Sequence, residues 1–237
     1  MDITSFLTTL VSTGNPVLPG PLAMQLALHL VWAVVLGAAV WRLTGKLSRT
    51  YRLGLSGLLV LWTLVPGSAS PAYWLGLAFQ TPSLTSGLIC LIWLLNQLRR
   101  MPGAPVPVGS ALMGAWNKLA GLGIVLGWVL LLDTLAWLPV SVYAWGFSSA
   151  AFSVLTLLSV LVWVLWGSAG ASRGAGLFGP ILVLGVLALF VFTRLPTGNV
   201  WDALIDPWLW AGLQVSWLVS VVRRLKSARC APAAIRA

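Results

Sequence analysis

Glutamate is absent from this chain of 237 residues, and all four of its acidic residues are aspartates. Charged residues make up only 8% of the sequence, whereas hydrophobic residues make up 59% and the mean hydropathy is +0.96. A soluble protein of this length needs charged side chains over its whole surface. The shortage of charge therefore excludes an ordinary soluble protein and predicts an outer surface that faces lipid.

Residues that commonly carry catalysis or bind metals are equally scarce. The chain has one histidine and two cysteines, and no Cys-x-x-Cys motif or Cys/His cluster. Cys90 lies within an apolar run and Cys230 in a basic tail, so the two differ too much in expected depth to form a disulfide. Enzymes that hydrolyse or transfer groups in membranes need clustered carboxylates, histidines or metal ligands. We therefore predict no catalytic residue, no metal site and no cofactor.

Seven apolar runs dominate what the sequence does contain. A helix needs roughly 20 apolar residues to cross the hydrocarbon core. The runs predict an all-α, polytopic integral membrane bundle of about seven transmembrane helices, with no soluble domain; they cover residues 22–41, 53–65, 82–98, 119–138, 150–167, 177–193 and 208–222. The second run is short. A six-span arrangement, in which the second and third runs form a re-entrant hairpin, is the alternative.

The basic residues between these runs are sorted to one side. With seven spans and the N-terminus outside, thirteen of the fourteen Lys and Arg fall inside, and only Arg194 falls outside. This asymmetry obeys the positive-inside rule and predicts a cytoplasmic C-terminus in a bacterial-type inner membrane. Since no basic segment precedes the first run, we expect it to be an uncleaved anchor. The lipid bilayer is the expected partner; nucleic acid is not, because the basic residues are scattered.

Asp133 is the one acidic residue inside a predicted span. A carboxylate at depth is costly and should have a partner. Ser153, Thr156 and Ser159, spaced three residues apart, give the fifth span a weakly polar face. Together these residues are candidates for the path of a transported ion or small molecule. The alternatives are that Asp133 is protonated and bonded to a neighbour such as Thr134, and that the hydroxyls satisfy their own helix backbone.

His29, in the first span, is a weak candidate for binding haem or a pigment. A bis-histidine haem would need a second ligand that the chain lacks, so the group would have to be shared with another subunit. The other interpretation is an imidazole hydrogen-bonded within the bundle.

Several residues are candidates for helix packing. Small residues allow close approach between helices, and the last span carries a seam with spacings of four and three residues that suits a core or an interface. The helix-packing candidates are Ala33, Gly37, Gly123 and Gly127, and the interface candidates are Trp210, Gln214 and Trp217.

Outside the membrane, Arg194 could form an ion-pair cluster with Asp202 and Asp206, either at a bound substrate or as a solvated cap.

The scarcity of chemical groups favours a non-catalytic integral membrane subunit, or an assembly or stabilising factor, of a larger inner-membrane complex. In that case the partners are other membrane protein subunits. The first alternative is a small-molecule or ion transporter or channel that uses Asp133 and the polar face of the fifth span. The second is a haem- or pigment-associated membrane protein that uses His29.

Overall fold

The structure is a computed structural model that describes residues 12–13, 16–99, 109–168 and 178–229. Within the helices, the side chains at 109–119, 166–168, 178 and 227–229 lie outside the description. Asp2, Arg100, Arg173 and Cys230 lie outside it altogether.

Every regular element in the described residues is a helix, which confirms the predicted all-helical class for this part of the chain. In chain order the helices are α1 (Pro21–Leu43), α2 (Arg49–Thr63), α3 (Pro71–Phe79), α4 (Leu84–Arg99), α5 (Gly109–Thr134), α6 (Val142–Trp145), α7 (Ser149–Ser168), α8 (Phe178–Thr193), α9 (Val200–Leu204) and α10 (Pro207–Arg229).

Each of the seven long helices overlaps one predicted apolar run, but the bounds of three of them differ by four residues or more. The helix α2 begins at Arg49 rather than at 53, and α5 begins at Gly109 rather than at 119. The helix α5 stops at Thr134, four residues before the predicted end at 138. Ala136 adopts a left-handed φ of 56°, and the amide of Trp137 donates to the carbonyl of Leu132 at 3.0 Å. This Schellman closure ends the helix. The helix α10 continues past residue 222 to Arg229, since Arg and Lys are good helix formers.

One described helix, α1, is both long and apolar enough to cross a membrane by length and composition. The apolar stretches of α4, α5, α7 and α8 are shorter; they are Leu84–Arg99, Ala120–Thr134, Ser149–Leu165 and Gly179–Thr193. A single long apolar helix near the N-terminus also occurs as a signal sequence or as a core helix of soluble proteins.

The helices pack as a connected series with α8 near its middle. The first helix, α1, packs against α2, α3 and α4, and α4 continues the series to α8 and α9. In turn α8 contacts α5 and α7, and α10 packs against α5. The buried core cluster lies where the end of α8 meets α9, and it consists of Val186, Leu187, Phe190, Val200 and Ala203. The core therefore sits directly beside the connection that precedes α10.

Small residues mark the closest helix contacts. A Cβ atom added at Gly37 would lie 2.8 Å from Val60 Cγ2, across the α1–α2 contact. One at Gly123 would lie 2.8 Å from Leu213 Cδ1, and one at Gly127 would overlap the ring of Trp210. Ala33 is buried one turn before Gly37 on α1. The three glycines thus lie at helix contacts within the chain, where a larger side chain would not fit without a shift of its neighbours.

Candidate functional site

Three connections, which the sequence predicts on the outer side, meet at one end of the fold. They are residues 64–83, 135–148 and 194–206, and we call them the outer connections. Hydrogen bonds join the first to the third and the second to the third. All three acidic side chains in the described residues lie in or beside these segments.

Asp206 lies at the N-termini of two helices at once. Its Oδ1 accepts the amide of Leu209 at 2.8 Å, which caps α10, and Pro207 occupies the first position of that helix. Its Oδ2 accepts the amide of Ser83 at 2.9 Å and the hydroxyl of Ser83 at 2.6 Å, and it also accepts the hydroxyl of Ser86. Ser83 and Ser86 belong to the start of α4. The positive ends of both helix dipoles therefore face one buried carboxylate.

Asp202, on α9, accepts hydrogen bonds from two hydroxyls. The phenol of Tyr143 donates to Oδ2 at 2.7 Å, and the hydroxyl of Thr197 donates to the same oxygen. Burial raises the pKa of the Tyr143 phenol well above its ordinary value, and the hydrogen bond to Asp202 and the charge of Asp202 raise it further. The phenol therefore stays a donor to the carboxylate at neutral pH.

Asn199 ties the second outer connection to the third. Its Oδ1 accepts the amide of Trp201 at 2.9 Å, which caps α9, and its Nδ2 donates to the carbonyl of Tyr143 at 2.9 Å. The indole of Trp201 donates to the carbonyl of Val142 at 3.0 Å. The fully buried Asn199 side chain lies against Gly146, and a Cβ atom there would overlap its amide oxygen. This junction is closed by hydrogen bonds and by contact.

Asp133 lies in the last turn of α5. Its Oδ2 accepts the amide of Tyr143 at 2.7 Å, so its partner is the backbone of α6. The hydroxyl of Thr134, the neighbour suggested from the sequence, donates instead to the carbonyls of Leu130 and Leu131. Asp133 therefore joins two successive elements of the chain at the C-terminal end of α5.

The three hydroxyls of α7 turn back to their own helix. Ser153, Thr156 and Ser159 each donate to the carbonyl four residues earlier, at 2.8, 2.9 and 2.7 Å. None of these bonds involves Asp133. Among the described contacts, the four candidates for a polar path are thus not brought together.

His29 links α1 to the end of α2. Its Nδ1 donates to the carbonyl of Thr63 at 2.8 Å, and the hydroxyl of Ser70 donates to the same carbonyl at 2.8 Å. Trp32, one turn further along α1, donates from Nε1 to the carbonyl of Gln80 at 3.0 Å. Side chains of α1 thus hold the first outer connection.

The interface candidates predicted on α10 lie partly inside the fold and partly on its surface. Trp210 donates to the carbonyl of Ile124 at 3.2 Å and meets Trp128 edge to face, with 5.2 Å between ring centroids. Gln214 is half-buried, whereas Trp217 is exposed. Trp210 therefore serves packing within the chain, and Trp217 is the interface candidate that is left on the surface.

A cavity of about 550 Å³, which we call the outer cavity, opens between the end of α3 and the start of α10. Its lining includes both Asp202 and Asp206, together with Phe79 and Trp208, whose rings meet edge to face at 4.9 Å between centroids. The guanidinium of Arg194 lies instead over the ring of Phe190, 5.4 Å from its centroid. Among the described residues, Arg194 therefore does not form the predicted ion-pair cluster with Asp202 and Asp206. The two carboxylates accept hydrogen bonds from amides and hydroxyls instead.

Sequence reasoning missed Ser83, Ser86, Tyr143 and Asn199 as partners of the acidic residues. Signals for some of them exist. Ser83 lies at the start of the third apolar run, directly after Pro82, Asn199 precedes a short helical segment, and the pair Asp206–Pro207 is typical of a helix start. These signals predict caps, but they do not predict which distant carboxylate the capping serine will bind.

Within the described parts of the chain, no three His, Cys, Asp or Glu side chains are grouped so that they could hold a metal ion. No protein-family model, curated protein or solved structure matches the chain.

Proposed function

We propose that this protein is a non-catalytic integral membrane subunit, or assembly factor, of a larger inner-membrane complex. The proposal rests on one observation, namely which groups the few acidic and histidine side chains of the described residues bind. Asp133, Asp202, Asp206 and His29 each bind backbone or hydroxyl groups of their own fold. These groups hold connections and helix ends together, which is the work of a scaffold.

Membrane embedding through seven spans is part of this proposal. It is supported by large apolar side chains that project from several helices, such as Leu61 (68% exposed), Leu157 (69%) and Phe192 (87%). Soluble monomers rarely expose extended apolar patches. The sorting of the basic residues supports the orientation with the N-terminus outside.

Cysteine labelling tests the topology. In a background with Cys90→Ala and Cys230→Ser, single substitutions Ser68→Cys and Ser48→Cys place thiols in exposed positions of the first outer connection and of the preceding basic connection. A membrane-impermeant maleimide should label intact spheroplasts at position 68 only, and inverted vesicles at position 48 only. Labelling at position 48 from outside, or no labelling at 68 from outside, would contradict the seven-span orientation.

Native purification tests the role as a subunit. The tagged chain, expressed at its natural level and extracted in mild detergent, should migrate with at least one other membrane protein, well above its own mass of 25.3 kDa. Trp217→Ala should weaken this association because Trp217 lies on the surface of α10. Trp210→Ala should lower stability instead, because Trp210 packs inside the chain. Recovery of a monodisperse lone chain would contradict the proposal.

The transport and cofactor alternatives remain predictions of the sequence. Unchanged vesicle uptake after Asp133→Asn would count against the first. A spectrum of the natively purified complex without a band beyond that of tryptophan would count against the second.

A further inference from the structure

We propose that the outer cavity binds a small organic cation, namely an amine or quaternary ammonium group that carries apolar substituents. This inference goes beyond the structural role proposed above, since a scaffold needs no such site. The cavity's volume of about 550 Å³ falls within the range of small-molecule sites, roughly 300–1,000 Å³.

The first argument is charge. Asp202 and Asp206 both line the cavity, and every hydrogen bond that they accept comes from an amide or hydroxyl. Among the described residues neither carboxylate contacts a basic side chain, and the guanidinium of Arg194 stacks elsewhere. In a chain with a formal net charge of +10, this is a local concentration of negative charge. A bound cation would supply the missing counter-charge.

The second argument is the character of the walls. Phe79 and Trp208 present aromatic rings, and Pro196, Ile205 and Pro207 add apolar surface. Aromatic faces attract cations, and this attraction is best realised with ammonium groups that are easily desolvated. An ammonium group with methyl or longer substituents would contact these walls while its charge faces the carboxylates.

The geometry of the carboxylates favours an organic cation over a metal ion. The oxygens of Asp206 already accept bonds from Ser83, Ser86 and Leu209, and the side chain is only 8% exposed. Direct coordination of a hard cation requires several free oxygen ligands at short distance. An ammonium ion, by contrast, gains from a nearby carboxylate without displacing those donors.

The test uses the purified full-length protein in lipid nanodiscs and choline as the probe. Isothermal titration should show saturable binding of choline. The neutral isostere 3,3-dimethylbutan-1-ol should bind at least about tenfold more weakly, because it lacks the charge. Equal binding of the two probes, or no saturable binding of choline, would overturn the proposal.

Three variants locate the site. Asp202→Asn should weaken choline binding at least about tenfold, and Trp208→Leu should weaken it several-fold. Asp133→Asn makes the same change of charge outside the cavity and should leave affinity unchanged. The thermal unfolding midpoint of each variant identifies any variant that has lost its fold. Because Trp208 is exposed, we expect Trp208→Leu to fold, so it still tests the site if Asp202→Asn unfolds. Equal effects of Asp133→Asn and Asp202→Asn, or unchanged binding in folded Trp208→Leu protein, would contradict the assignment.

Discussion

The hydroxyl groups of the outer connections and those of α7 have the same chemistry but different roles. Ser83 and Ser86 reach Asp206, which is 123 and 120 residues away in sequence. Ser153, Thr156 and Ser159 bond only four residues back, to their own helix. Polar contacts therefore define the tertiary structure at the outer end of the fold, whereas along α7 the hydroxyls only complete the helix that carries them.

The sharpest way to break this contrast is the substitution Asp206→Ala. It removes the acceptor for the amides of Ser83 and Leu209 and for two hydroxyls, and it leaves buried donors at the starts of α4 and α10. We expect a loss of about 3 kcal/mol or more in the free energy of unfolding. Thermal unfolding in detergent measures it as a lower midpoint. A loss below about 0.5 kcal/mol would show that this carboxylate does not hold the helices.

The second prediction concerns Gly146, where the backbone of the second outer connection meets Asn199. Gly146→Ala places a Cβ atom against the amide oxygen of Asn199 and the ring of Trp201, and should cost about 2 kcal/mol. Gly185→Ala is the matched control, since nothing lies within 4 Å of the added atom on α8. This control should gain up to about 1 kcal/mol from helix propensity. Equal unfolding midpoints for the two variants would contradict the close contact.

The third prediction follows from the raised pKa of Tyr143. In Asp202→Asn the pKa of the phenol should fall, because the neighbouring negative charge is removed, but it should stay above the ordinary value because burial persists. Absorbance at 295 nm measures the titration, and Tyr143→Phe identifies which transition belongs to this residue. A pKa that does not move, or that rises, would exclude a charge–phenolate interaction.

The same raised pKa has a consequence for stability. The folded state holds the Tyr143 phenol protonated to higher pH than the unfolded state does, so its stabilising contribution is complete below about pH 10. It should decline as the pH rises above that value, because the unfolded state then loses the proton first. Chemical unfolding measured from pH 8 to 11 should show that the free energy of unfolding declines in the wild type. It should decline less in Tyr143→Phe.

The smallest effect is expected within α7. Thr156→Ala removes a hydroxyl whose only described partner is the carbonyl of Phe152 in the same helix, so the unfolding free energy should change by less than about 0.5 kcal/mol. The unfolding midpoint should match that of the wild type within this limit. A loss of stability as large as that for Asp206→Ala would mean that this hydroxyl contributes to contacts between helices. It would contradict the difference between α7 and the outer connections.

Local patterns in the sequence predicted the seven long helices, but not α3, α6 or the first ten residues of α5. Runs of apolar residues place all seven long helices, because hydrophobic length is a property of neighbouring residues. The end of α5 was harder to predict from the sequence, because Ala136 has no intrinsic preference for the left-handed φ that closes this helix. The predicted span therefore ran too far, and Asp133 lies nearer the helix end than expected.

The candidate site was harder to predict because its contacts are long-range. Asp202 and Asp206 were singled out from their charge, but their partners depend on how distant connections meet. Tyr143 is 59 residues from Asp202 in sequence, and no spacing rule links them. Likewise the seam on α10 was visible as a pattern, but only the fold separates the buried Trp210 from the exposed Trp217.

Because one carboxylate caps both α4 and α10, it fixes the distance between the starts of two helices whose packing partners differ. Along their described lengths, α4 packs on α1 and α8, whereas α10 packs on α5. A change in the angle between α4 and α10 would therefore pivot about Asp206 and be largest at their far ends. The outer cavity lies directly beside this pivot, since Asp206 is part of its lining.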